Sequence, residues 1–292
     1  MAVARNIITL KQHRLKLLYD QLSHQVSKAV TQKYSTSFSL GILALHSSIR
    51  PAIYAIYGYV RLADEIVDSF HDYDKRILLE RFSEQTWQAL DEGISLNPVL
   101  QSFQETVSRY KIDKSLIEQF LHSMRMDLTL VDYNTERYNE YILGSAEVVG
   151  LMCLQVFVEG DTDAYNNLKP YAIKLGSAFQ KVNFLRDLKD DYQVLGRTYF
   201  PHIEMSAFDN HIKASIEEDI EREFRQALIG IRRLPACSKF GVYLAYKYYL
   251  SLFKKIKQTP AQCILQERVR IPNRKKISLM MSSYVQYKIK VV

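Results

Sequence analysis

The sequence predicts an all-α protein, and three observations lead there. Apolar residues recur at steps of three and four through most of the chain, and strand-like alternation is nearly absent. Helix-breaking residues are scarce, with ten glycines and seven prolines in 292 residues. No Ser/Gly/Pro-rich linker, internal repeat or low-complexity tract divides the chain, and a single helical domain can reach this length with a large core. The expected organisation is an extension of uncertain order over 1–16 and one helical domain over 17–292.

Taken in order, residues Met1 to Lys16 hold Arg5, Lys11, Arg14 and Lys16 and no acid. Their apolar run Ile7–Leu10 is too brief for a secretory signal, which leaves a short transit peptide or an extended start open. Leu17–Lys33 reads as the first amphipathic helix. Tyr34–Gly41 reads as a turn or helix start in which Ser35, Thr36 and Ser37 offer hydroxyls for capping or for phosphate oxygens. Pro51 suits the first turn of a helix running through Asp68. Helices follow over Lys75–Gly93, Pro98–Tyr110 and Lys114–Thr129, the last two parted by a polar turn at Lys111–Asp113. Asp127, at the end of the third, reads as a solvated helix-end carboxylate or as a further acidic ligand. Tyr141–Glu159 is rich in small residues (Gly144, Ser145, Ala146, Gly150), which let a neighbour approach closely. Its apolar run Val148–Val158 is too short to span a bilayer and reads as a buried helix; no membrane anchor is expected. Leu175–Val194, Glu217–Gly230 and Lys239–Lys257 complete the helices, with Gly196 ending the first of them.

Composition narrows the function. The net charge of +7 comes without a long basic block or a nucleic-acid motif, so solubility, anionic small molecules or an anionic membrane surface are its expected meanings. Three scattered cysteines lack metal-ligand spacing, and their odd number suits a reducing cytoplasm. Neither His202 nor His211 has a partner at zinc-site spacing. Twenty tyrosines and thirteen phenylalanines serve core packing or line a site for an apolar or cationic ligand.

Two stretches concentrate the chemistry. Tyr57–Asp68, YGYVRLADEIVD, and Gln180–Asp191, QKVNFLRDLKDD, each place two aspartates four residues apart: Asp64 with Asp68, and Asp187 with Asp191. Residues so spaced share a helix face, ~6 Å apart along the axis. In the first stretch Ile53, Ile56, Val60, Ala63 and Val67 form an apolar stripe, and Tyr57, Arg61, Asp64 and Asp68 a polar line beside it. In the second, Gln180, Asn183, Asp187 and Asp191 repeat the spacing, with Arg186 among them. Facing carboxylates repel by about 4 kcal/mol per pair at ~4 Å and moderate dielectric, so a cation is needed between such helices. Carboxylate and amide oxygens suit Mg²⁺, with Mn²⁺ as a substitute, and the arginines suit phosphate oxygens. One such pair alone is commonly a solvated helix face; with two, a metal–diphosphate site and two solvated faces both stay open.

The chain resembles the squalene/phytoene synthase family, the head-to-head prenyl transferases. The resemblance lies in YSTSFSLG (Tyr34–Gly41), IYAIYGYVRLADEIVD (Ile53–Asp68), MRMDL (Met124–Leu128), YILGSAEVVGLM (Tyr141–Met152), LGSAFQKVNFLRDLKDDYQVLGRTYFP (Leu175–Pro201) and ERVRIPNRKK (Glu267–Lys276), in the family's order. It implies a helical bundle of the isoprenoid synthase type around an apolar central cavity. It also implies Mg²⁺ held by Asp64, Asp68, Asn183, Asp187 and Asp191, with Tyr141 facing the reacting carbons. Ser37, Phe38, Tyr57, Arg61, Gln180, Asn183, Arg186, Tyr249 and Arg268 would bind substrate. Three positions depart from the family: Thr36 stands where some members have lysine, Glu147 where many have glycine, and Lys181 where an apolar residue is common. Lys181 is expected to point outward.

The implied activity is condensation of two prenyl diphosphates, with two geranylgeranyl diphosphates giving phytoene as first choice. Squalene or dehydrosqualene formation from farnesyl diphosphate is the alternative, and a catalytically silent assembly factor of the same fold the alternative of another class. NADPH is not expected. A chain-elongating synthase or cyclase would carry D-D-x-x-D rather than these motifs. Nucleic acid is not an expected partner, and the expected location is cytoplasmic, with peripheral membrane contact for release of a hydrocarbon. Oligomeric state is not legible.

Overall fold

The computed structural model describes residues 2–129, 133–193, 199–201 and 208–289; the side chains of 2–14, 36, 37, 190–193, 273 and 277 lie outside the description. The chain opens with α1 (Ala2–Tyr34), α2 (Thr36–Leu43), α3 (Arg50–Ser69) and α4 (Lys75–Glu92). Next come α5 (Pro98–Tyr110), α6 (Lys114–Met126), α7 (Thr135–Ile142), a π-helical segment (Leu143–Glu147) and α8 (Val148–Phe157). The second half holds α9 (Thr162–Gln193), α10 (Asn210–Arg233), α11 (Ala236–Gln258), the single turn α12 (Ala261–Ile264) and α13 (Asn273–Lys288). No strand occurs among the described residues.

Local chemistry explains most of the boundaries. Side chains of Ser35, Asp74, Asn97, Asp113, Asn134 and Asp209 accept backbone N–H bonds at the starts of α2, α4, α5, α6, α7 and α10. Pro51 and Pro98 occupy first turns, where a missing N–H is harmless. Helix α4 ends on Gly93 in the left-handed conformation, φ 69°. Two expected helices are longer than their apolar stripes: α1 begins at Ala2 rather than Leu17, and α9 at Thr162 rather than Leu175, with Pro170 inside it. The buried face of α1 is also more polar than an amphipathic reading suggests. Ser23, Ser27 and Thr31 are fully buried against α3 and α5, and they are satisfied by Tyr19 O, Ser102 Oγ and Ser27 O.

Two cores result. One gathers around α3, where Tyr59 is fully buried and stacks on Phe103 at 3.8 Å between α1, α4, α5 and α6. The other joins α9, α10 and α11 through Leu185, Ile220, Phe224 and Phe253. A smaller cluster, Leu151, Leu154, Val158, Leu168 and Leu234, closes one end. The stretch Thr135–Phe157 (α7, the π segment and α8) has the length and apolarity of a membrane span by composition, yet it packs against α6 and α9 inside the bundle. Gly144 permits this: a Cβ there would lie 2.5 Å from Ser123 Cβ and 2.6 Å from Gln119 O. Between the two main cores runs an elongated cavity.

Candidate active site

The cavity has a volume of about 740 Å³ and is lined by α2, α3, α8, α9, α10 and α11 together with the π segment. Helix α9 presents one face to it along much of its length, through Leu168, Tyr171, Leu175, Phe179, Asn183 and Asp187, at steps of three and four. At 1.5 Å per residue, the nineteen steps from Leu168 to Asp187 span ~28 Å. The Leu168 end is apolar; the Asp187 end is the polar mouth.

At the mouth α3 contributes Tyr57, Arg61, Asp64 and Asp68, and α9 contributes Gln180, Asn183, Arg186 and Asp187. Arg61 Nη2 donates to Glu65 at 2.6 Å, its Nη1 lies 3.7 Å from Asp64, and its guanidinium rests 4.5 Å above the Tyr34 ring. Asp64 keeps 33% of its side chain open to the cavity, but protein walls surround that space. Burial, and then the neighbouring Asp68, push its carboxyl up to about 7. The second acid is held differently. Asp187 accepts from Arg186 at 2.5 and 2.9 Å and from Arg268 Nε at 2.7 Å, and this pairing holds the Arg186 guanidinium above its usual range despite burial. The mouth thus sets a carboxylate short of positive charge opposite one already clasped by two arginines.

Aromatic rings line the next layer. Phe38 meets Tyr57 at 4.5 Å, Tyr249 stacks on Phe179 at 3.8 Å, and the Tyr249 hydroxyl donates to Asn183 Oδ1 at 3.3 Å. Burial raises the hydroxyls of Tyr57 and Tyr249, so both stay protonated donors. Tyr141 sits among Tyr133, Phe184 and Tyr199, with centroids 5.5, 6.0 and 5.3 Å away, and its hydroxyl donates to Asp127 Oδ2 at 2.9 Å. Rings facing an apolar cavity suit a carbocation, through their negative faces.

Every described candidate from the sequence lines this cavity: Phe38, Tyr57, Arg61, Asp64, Asp68, Tyr141, Gln180, Asn183, Arg186, Asp187, Tyr249 and Arg268. The side chains of Ser37 and Asp191, and residue His202, lie outside the described residues. Two readings need correction. Asp127 is not solvated: it is 7% exposed, caps α6 and faces the cavity beside Tyr141. Lys181 does not point outward: it is buried, pairs with Asp219 and lies 3.0 Å from Glu223 on α10. Sequence reasoning also passed over Tyr34 under Arg61 and Phe179 under Tyr249. Both lie within the family-like stretches Tyr34–Gly41 and Leu175–Pro201, and Phe179 also stands one helical turn from Asn183.

The donors fit a hard cation shared with a ligand. Among the described residues no three His, Cys, Asp or Glu side chains come close enough to enclose a metal by themselves. Mg²⁺ is commonly held by one or two carboxylates and completes its shell with water and phosphate oxygens. Asp64, with its raised carboxyl, is short of that charge.

The squalene/phytoene synthase profile matches residues 31–275. The chain belongs to the squalene/phytoene synthase family. Among its relatives, the phytoene synthase of Arthrospira platensis is 26% identical over 281 residues, covering 87% of this chain and 90% of that protein. The 15-cis-phytoene synthase of Synechococcus elongatus gives 26% over 279 residues, with the same two coverages. The 4,4′-diapophytoene synthase of Staphylococcus haemolyticus gives 27% over 209 residues, 70% of this chain and 68% of that one. Of solved structures, a dehydrosqualene synthase superposes with a TM-score of 0.79 at 21% identity, covering 92% and 98% of the two chains. The squalene synthase HpnC of Alicyclobacillus acidocaldarius gives 0.72 at 19%, covering 82% and 95%. The fold is therefore that of the dehydrosqualene and squalene synthases, and the chain is a prenyl transferase. The family joins prenyl units head to head by metal-dependent diphosphate chemistry.

Proposed function

We propose that this protein condenses two geranylgeranyl diphosphates to phytoene in carotenoid biosynthesis, with Mg²⁺ at the mouth. The observation that carries the chain length is the reach of the apolar shaft. From Asn183 to Leu168 the cavity face of α9 runs fifteen residues, ~22 Å. With bonds of ~1.5 Å, an extended five-carbon unit adds about 5 Å along the chain, so four units (about 20 Å) fill most of this reach while three (about 15 Å) leave more than a turn of α9 uncovered. Similarity to two phytoene synthases supports the same choice, whereas the diapophytoene synthase supports the farnesyl alternative.

The chain's own groups have separable roles. Asp64, Asp68, Asn183, Asp187 and Asp191 are the proposed holders of Mg²⁺, which supplies positive charge to the departing diphosphate. Arg61, Arg186 and Arg268 bind diphosphate oxygens, and in doing so Arg186 and Arg268 exchange part of their hold on Asp187. The first substrate's C1–O bond breaks and its diphosphate leaves with the electron pair. The 2,3-double bond of the second substrate then attacks C1, and one proton is lost as the cyclopropylcarbinyl diphosphate closes. The second C–O bond breaks, the carbon skeleton rearranges, and a second proton leaves to give the central double bond. Two substrates thus yield one hydrocarbon, two diphosphates and two protons, with no reductant. Tyr141, Phe184 and Tyr199 face the cations and exclude water that would quench them.

Incubating the protein with Mg²⁺ and both farnesyl and geranylgeranyl diphosphate, then weighing the hydrocarbons by mass spectrometry, tests the reading. A C40 product unchanged by NADPH is expected. A C30 main product overturns the chain length, and no hydrocarbon from either substrate overturns the activity. The proposed location is cytoplasmic, with the hydrocarbon leaving to a membrane. The net charge of +7 supports contact with anionic lipid. Co-sedimentation with anionic vesicles at low salt checks this, and protein left wholly in the supernatant refutes it.

A further inference from the structure

The far end of the cavity is built from side chains with different backing. Leu168 and Leu234 are buried in the small apolar cluster with Leu151, Leu154 and Val158, so more protein lies behind them. Tyr171 is different: it lines the cavity, is only half-buried, and has its hydroxyl at the exposed Arg233, so its outer edge borders the surface. It is also deliberately seated. Gly230 faces it from the interior of α10, where a Cβ would lie 2.2 Å from Tyr171 Cβ and 2.8 Å from Cγ. Glycine weakens a helix interior relative to alanine, and here its absence of a side chain is what lets the base of the Tyr171 side chain approach α10 so closely. On the outer side, the exposed Arg233 places its guanidinium 5.5 Å from the ring centroid, with Nη1 3.5 Å from the hydroxyl oxygen. These contacts hold the ring loosely at its rim while Gly230 fixes its base.

We propose that Tyr171 is the end wall of the cavity and sets the longest prenyl tail the site accepts. The inference rests on the reading of this cavity as the prenyl-chain site. Tyr171 stands one helical turn on the mouth side of Leu168 on the cavity face of α9, and because helical side chains lean toward the N-terminus its ring bounds the shaft near the level of Leu168. Truncating its ring opens the shaft toward solvent beside Arg233, and enlarging it shortens the shaft.

The test is calorimetric titration with unreactive prenyl thiodiphosphates of fifteen, twenty and twenty-five carbons in the presence of Mg²⁺. Wild-type protein is expected to bind the C20 analogue and to bind the C25 analogue weaker by about tenfold or more. Tyr171→Ala is expected to bring C25 to within about twofold of C20, and Tyr171→Phe to leave the wild-type order intact. Tyr171→Trp is expected to weaken C20 against C15 by about tenfold. A folded Tyr171→Ala protein with an unchanged C25-to-C20 ratio overturns the inference. If that variant does not fold, Tyr171→Trp decides: an unchanged C20-to-C15 ratio is equally fatal. Wild-type protein that binds C25 as well as C20 places the end wall elsewhere. Wild-type protein that binds none of the three fails the prenyl-site reading itself, a result distinct from the others.

Discussion

At the scale of single residues, Asp68 on α3 and Asp187 on α9 line the mouth from opposite sides, and exchanging either tests the proposed metal set. Asp68→Asn and Asp187→Asn keep shape and remove charge, so both should fold while turnover drops by about 100-fold or more, read from hydrocarbon formed per minute. A variant with near-normal turnover would leave the proposed metal set. Glu147 gives a pH prediction away from the mouth. Burial, and then Glu223, push its carboxyl up to about 7. The unfolded chain releases that proton near the ordinary glutamate value, so the folded state binds more protons in between. Stability therefore falls as pH rises toward 7, and the loss is complete above it. Glu147→Gln should show a smaller drop in melting temperature between pH 5 and pH 8 than wild type. Lys181→Ala leaves buried Glu223 with the Ser177 hydroxyl, at 3.0 Å, and the longer contact to Lys174, at 3.4 Å, and should lower unfolding free energy by about 3 kcal/mol in urea titration. The acids were legible in the sequence because four-residue spacing is a local signal. Asp127 and Lys181 were misread because their partners, Tyr141 and Asp219, lie fourteen and thirty-eight residues away.

At the scale of elements, the π segment turns the helix between Tyr141 and Val148 so that Tyr141 and Ser145 both face the cavity. Its close approach to α6 depends on Gly144. Gly144→Ala should destabilise by about 1–3 kcal/mol, measured by urea unfolding, because Ser123 Cβ and the Gln119 carbonyl cannot both yield. The cluster of small residues announced a close neighbour. It did not announce a π turn, which depends on how α6 and α9 grip the two sides. Helix type was readable almost everywhere from the 3–4 period. Boundaries were readable where a cap residue stood, as at Asp74, Asn97 and Asp113. The N-terminal turns of α9 escaped notice because Asp161–Lys174 is largely polar and contains Pro170, and its few cavity-facing residues make too thin a stripe.

At the scale of the molecule, the cavity divides two cores, and ligands that bridge its mouth tie α3 to α9. Saturation with Mg²⁺ and inorganic diphosphate at 100 times the dissociation constant adds about 2.7 kcal/mol to stability. Melting should rise by roughly 5 °C with both ligands present, and no rise at saturation would refute a shared site. The overall architecture was legible because motif order and helical period agree; the cavity was not, since a void is a property of distant elements meeting. Helix α9 carries both the mouth groups and Tyr171 on one rigid rod. Distance along that rod and direction around it cannot be adjusted separately, because each inserted residue advances ~1.5 Å and turns ~100°. A single-residue insertion between Tyr171 and Gln180 would swing the end wall out of the cavity, and even a full turn would return it only approximately. If Tyr171 is the end wall, the accepted tail length can be tuned by exchanging side chains along α9 but not by insertions or deletions there.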